Sequence, residues 1–159
     1  MEVYVKRIGE PALTFRLPAV IDGGLTSIDP AQLHGQWVAL CFLPHLGRAE
    51  IDLLDRQGRA MEDLGASLLV VSLETQALQR EESRRIGGVH FALVGDPLGR
   101  LRRLYSGVTT QSWGRAQTFL IDPEGRLRFQ LVHSLSERGM GVLTELLQAH
   151  QDQEIAALL

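Results

Sequence analysis

The residues able to carry covalent or proton-transfer chemistry are few, and they gather in one short stretch. The single cysteine is Cys41, and His45, Arg48 and Glu50 follow within the next nine residues. A thiol acts as nucleophile or redox centre only as the thiolate, in an accessible and electropositive setting. Cys41 lies instead inside the apolar run Trp37-Val-Ala-Leu-Cys-Phe-Leu43, three residues before Pro44. Burial there would raise its pKa and make it a small core residue. His45 could serve as a proton donor or bind an anion with Arg48, although a solvent-facing loop histidine is the plainer expectation. Glu50 in the first turn of a helix complements the helix dipole, whereas Arg48 at that end favours an anionic neighbour. No nucleophile stands at workable spacing for hydrolysis or isomerisation through His45 and Glu50. His34, His90, His133 and His150 are scattered without metal-ligand spacing, so neither a metal nor a cofactor is expected.

The elements that must position these residues follow from the apolar pattern. Thr14–Val20 and Leu25–Ile28 flank the turn signal Asp22-Gly23-Gly24, which predicts an N-terminal hairpin. Asp29-Pro30 opens a short helical turn ending at Gly35. Trp37–Leu43 and Ser67–Leu73 are bounded, almost unbroken apolar runs, the pattern of strands buried on both faces. Between them, Ile51, Leu54, Met61 and Leu64 recur at helical spacing from Gly47 to Leu64, with Gly65 just past the end. A polar helix is expected over 75–86, a short strand at Phe91–Val94 and a helix over 98–105. A loop holding Gly107, Trp113 and Gly114 follows. Gln117–Asp122 and Arg126–His133 form a hairpin across Pro123-Glu124-Gly125. A last helix over 137–151 has Leu143, Leu146, Leu147 and His150 on its apolar face. This order is α/β with a mixed central sheet, in one domain over residues 1–159.

Composition narrows the function classes. With 159 residues, 45% apolar and 22% charged, the chain has the make-up of an ordinary globular protein. A formal net charge of −3 provides no electrostatic footprint for nucleic acid or an anionic membrane. The N-terminus lacks the basic start and apolar run of a signal peptide, and no stretch approaches a membrane span. One cysteine rules out an internal disulfide, so a reducing, cytoplasmic location is expected. Arg84-Arg85 and Arg102-Arg103 read as solvated helix faces. Trp37 reads as a core anchor, and Trp113 as a loop cover suited to a dimer or ligand contact.

Five segments, in order, resemble one family. They are Gly9-x-Pro11-Ala12-x-x-Phe15-x-Leu17-Pro18-Ala19, then Leu33-x-Gly35-x-Trp37-Val38-x-Leu40-x-Phe42, and Leu64-Gly65-Ala66 with Val70-Val71-Ser72. Asp96-Pro97-x-Gly99 with Tyr105 and Gly107-Val108 follows, and then Thr118-Phe119-Leu120-Ile121-Asp122-Pro123-Glu124-Gly125-Arg126. They are similar to the AhpC/TSA group of the thioredoxin superfamily, which includes peroxiredoxins and TlpA/ResA-like thioredoxins. The resemblance spans roughly residues 8–150. It implies a thioredoxin-like, peroxiredoxin-type fold: a mixed central β-sheet flanked by helices, with an N-terminal β-hairpin. It also implies an antioxidant thiol oxidoreductase.

The chemistry departs from that pattern. TlpA-like members carry Cys-x-x-Cys-Arg-x-Glu at the start of the active-site helix, and the matching stretch here is Pro44-His45-Leu46-Gly47-Arg48-Ala49-Glu50. Pro44 thus stands at the first cysteine and Gly47 at the second. The peroxiredoxin signature Pro-x-x-x-Thr-x-x-Cys, counted from Pro44, lands on Ile51; anchored on Glu50 it again gives Gly47. Where the family places a cis-proline or an arginine near the matched threonine, this chain has Ala116, with Arg115 one step away and so turned to the other face. The expectation is a non-catalytic binding or interaction module, working as a homodimer or with another protein. Its candidate pocket is His45, Arg48, Glu50, Trp113, Arg115 and Ala116, suited to a small anion. The alternative is an oxidoreductase that uses Cys41 or a partner's thiol.

Overall fold

The computed structural model describes residues 8–12, 14, 16–72, 74, 88–96, 101, 104 and 115–158. Strands β1 (Leu17–Ile21) and β2 (Gly24–Ile28) form the N-terminal hairpin. Ile21 pairs with Gly24, so the loop is only Asp22-Gly23, with φ of 50° and 78°. Two successive positive φ angles make the tight turn whose twist suits a hairpin, and Asp and Gly are residues that tolerate them. The strand starts at Leu17 rather than Thr14, because Ile28 at the end of β2 finds its partner at Leu17.

A 3₁₀ turn over Pro30–Leu33, capped by the Asp29 side chain, leads to β3 (Trp37–Leu43). Helix α1 (Arg48–Asp63), β4 (Ala66–Ser72) and β5 (Ala92–Val94) follow. Strands β6 (Ala116–Ile121) and β7 (Leu127–His133) make the second hairpin, and α2 (Glu137–Leu158) ends the described chain. Helix α2 continues past the expected end at Gln151 because the residues beyond it include no glycine or proline to stop it. The helices expected over 75–86 and 98–105, with their arginine pairs, lie largely outside the described residues, as does the loop holding Trp113.

Among the described residues the sheet has seven strands, in the order β2-β1-β5-β4-β3-β6-β7. β3, β4 and β5 run parallel, while β1, β2, β6 and β7 join by antiparallel pairing. β3 is buried along its whole length, as its apolar run requires. α1 and α2 cover one face, where Leu54, Met61, Met140, Leu143 and Leu147 pack on Ala39, Cys41 and Val70. The other face buries Leu40, Phe42, Phe119 and Ile121 beneath Leu17, Ile28 and Leu101. His150 belongs to the first face, with its ring 4.9 Å from Trp37 and 5.5 Å from Phe129, both edge-on.

Helix α1 departs from its apolar template in one turn. Leu54 and Met61 are buried as the spacing predicts, but so are Gln57 and Gly58. Gln57 Nε2 donates to the Met140 carbonyl at 2.8 Å, which ties α1 to α2. At Gly58 the helix backbone lies against the His90 carbonyl, and a Cβ there would sit 1.9 Å from that oxygen.

Candidate functional site

The candidate residues meet where β3 and β4 end and β6 begins. Leu43 is level with Ser72 in the parallel pair β3–β4, and Phe42 is level with Gln117 in the antiparallel pair β3–β6. Continuing these registers sets Pro44 beside Arg115, and His45 beside Glu74. Pro44 and His45 are exposed, while Leu46 turns inward and joins the core. Leu46 is therefore a packing residue that anchors the loop.

Gly47 is the N-cap of α1 and has no side chain to offer. Its N–H donates instead to Glu50 Oε2 at 3.1 Å, half of a capping box, so a carboxylate already sits on the positive end of the helix. A Cβ at Gly47 would lie 2.8 Å from Glu50 Oε2 and 3.0 Å from His45 Nε2. The position matched to the nucleophile is thus walled in by two side chains. His45 Nδ1 pairs with a carboxylate oxygen of Glu74, whose side chain is largely buried. Glu74 escaped the sequence reading; the signal was its place two residues beyond Ser72, at the end of a strand parallel to the one that delivers His45.

Arg48 and Arg115 are both exposed at this end of the sheet, and among the described residues neither forms an ion pair. Ala116 is fully buried, paired with His133, and contributes only packing. Trp113 lies outside the described residues. Gln117, which sequence reasoning passed over, is completely buried, and among the described residues neither polar atom of its amide has a hydrogen-bond partner. An amide in that state forfeits on the order of 1–3 kcal/mol.

Cys41 sits inside the sheet, level with Thr118 on one side and Val70 on the other, with no exposed surface. Burial pushes its thiol up from 9.0 to about 11, and the hydrogen bond with Thr118 opposes this only in part. The Thr118 hydroxyl has a competing partner, His133 Nε2, at 2.7 Å. His133 donates Nδ1–H to the Ser134 carbonyl at 3.0 Å, which leaves Nε2 as an acceptor for that hydroxyl. Partial burial lowers the pKa of His133 and favours this neutral form, the Ser134 contact working weakly against it. No group of three His, Cys, Asp or Glu residues is placed to hold a metal ion, among the described residues. No helix among them is long and apolar enough to cross a membrane.

Comparison with known proteins agrees with this architecture. The model of the AhpC/TSA family matches residues 8–130. A putative peroxiredoxin in the rubredoxin operon of Clostridium pasteurianum is 28% identical, over 95% of this chain and 93% of its own length. Peroxiredoxin tpx1 of Schizosaccharomyces pombe is 30% identical over 81% of this chain and 73% of its own. Among solved structures, thioredoxin peroxidase I of Plasmodium yoelii superposes with a TM-score of 0.72 at 22% identity, covering 93% and 92% of the two chains. AhpC of Mycobacterium tuberculosis does so with a TM-score of 0.70 at 20% identity, covering 94% and 96%.

Proposed function

The chain belongs to the AhpC/TSA family, and from that premise we propose that it is a member without thiol peroxidase or disulfide-reductase activity, serving as a binding or interaction module. One observation carries this reading. The helix start matched to the family's nucleophile holds Gly47, its N–H already taken by Glu50, while the only cysteine is fully buried. Thiol–disulfide exchange and peroxide reduction both need an accessible thiolate.

The exposed Arg48 and Arg115, neither in an ion pair among the described residues, support a small anion as ligand, held beside His45 and Glu50. Among the described residues the sheet ends in β2 and in β7, whose start is covered by Gly9 and Glu10 at Leu127, and the remaining edge length offers backbone groups suited to self-association. A homodimer in a reducing cytoplasm is the assembly proposed, with neither nucleic acid nor membrane as partner. Light scattering should then report twice the 17.6 kDa chain mass.

The decisive assay is peroxide consumption together with insulin-disulfide reduction, with a thiol donor, for the wild type and Cys41→Ser. Both proteins are expected to match the protein-free control. Turnover in the wild type that disappears in Cys41→Ser would overturn the reading and return Cys41 to a redox role.

A further inference from the structure

A second concavity, about 330 Å³ in volume, opens at the opposite end of the sheet, among the amino ends of β4 and β5. Its origin is topological. β4 begins at Ala66, but its first partner in β5 is Ala92, opposite Leu69. The opening residues of β4 therefore have no strand on that side, and the β1–β2 turn and the 3₁₀ turn border the gap instead. The floor is apolar, with Ile28 and Leu69, 6% and 3% exposed, beside Leu33.

The rim is acidic and fixed. Asp22 sits at φ 50° in the hairpin turn, and its Oδ1 accepts the Gly88 N–H at 3.3 Å. Glu62 Oε2 meets His90 Nδ1 at 2.7 Å, and the His90 N–H donates to Asp55 at 2.8 Å. Among the described residues, the second oxygens, Asp22 Oδ2 and Glu62 Oε1, have no hydrogen-bond or ion-pair partner. None of the described lining residues is a lysine or an arginine.

An apolar floor with a few convergent polar groups is the usual form of a small-molecule site. Two carboxylates, with His90 as the sole basic side chain among the described lining residues, select the sign of its ligand. An anion would meet repulsion from both, whereas a cation would be attracted to both. We propose that this cleft binds a small amphipathic cation: an ammonium or guanidinium group held between Asp22 and Glu62, on a short apolar body laid over Ile28 and Leu69. The inference is independent of the arginine-bearing site at the other end of the sheet.

Titration of the ¹⁵N-labelled protein with hexylamine, hexanol and hexanoate tests it, since the three probes share one tail and differ in charge. Hexylamine should give saturable amide shifts confined to residues 21–22, 62, 67–69 and 88–92, with the alcohol much weaker and hexanoate inert. Asp22→Asn with Glu62→Gln, which keeps a turn-tolerant residue and an acceptor for His90, should weaken hexylamine binding at least tenfold. Absence of saturable shifts with hexylamine would overturn the proposal. So would equal binding of hexanoate, or undiminished binding to a double variant whose circular dichroism is unchanged.

Discussion

Alkylation of Cys41 in the folded protein should run at least about 100-fold slower at pH 8 than in denaturant. The thiol is fully buried and its pKa rises from 9.0 to about 11. Each unit of that rise removes roughly tenfold of the thiolate at pH 8, and steric exclusion slows the reaction further. The same shift sets a pH dependence of stability. A group that binds its proton more tightly in the folded state contributes fully below its unfolded pKa, and the contribution is lost as pH climbs towards the folded value. Wild-type stability should therefore fall between about pH 9 and 11, by roughly 3 kcal/mol at most, a fall that Cys41→Ser should lack. Urea titrations of both proteins at pH 8 and 10.5 check this. Rapid stoichiometric labelling without denaturant would mean that the sheet opens at Cys41.

Gly58→Ala should destabilise the protein severely, on the order of 3 kcal/mol, which for a chain of this size lowers Tm by roughly 6–12 °C. The added methyl would come within 1.9 Å of the His90 carbonyl oxygen and 2.7 Å of its carbon, and both are backbone atoms that cannot turn aside. Relief would need α1 to move off the segment that leads into β5. That segment is also held by Asp55 and Glu62 from α1. Gly141 in α2 is the control. A Cβ there has nothing within 4 Å, so Gly141→Ala should instead stabilise by up to about 1 kcal/mol, through helix propensity alone. If the two variants melted alike, close packing at Gly58 would not be the cause.

The parts of the fold readable from sequence were those with a strong local signal. Trp37–Leu43 announced a buried strand through its unbroken apolar run and was found with those bounds. Asp22-Gly23 announced a hairpin because few other pairs accept two positive φ angles. Helix α1 was legible from its apolar spacing, yet Gln57 and Gly58 on its buried side were not. Their burial comes from contacts with Met140 and His90, far away in sequence. At the candidate site, the absence of a nucleophile was legible from residue identity alone. The role of Glu74 was not, because it depends on the strand register that brings it level with His45. Gln117 likewise looked like any polar residue at a strand start, and only the packed sheet reveals an amide sealed away from water.

The contact between Glu50 and the Gly47 N–H bears on what a cysteine introduced at residue 47 would meet. Writing a cysteine back at residue 47 would restore the sulfur but set it beside a resident negative charge, 2.8 Å from the new Cβ. That neighbour disfavours ionisation, while His45 Nε2, 3.0 Å from the same Cβ, and the helix start favour it, so the balance of the three would set the reactivity of the sulfur.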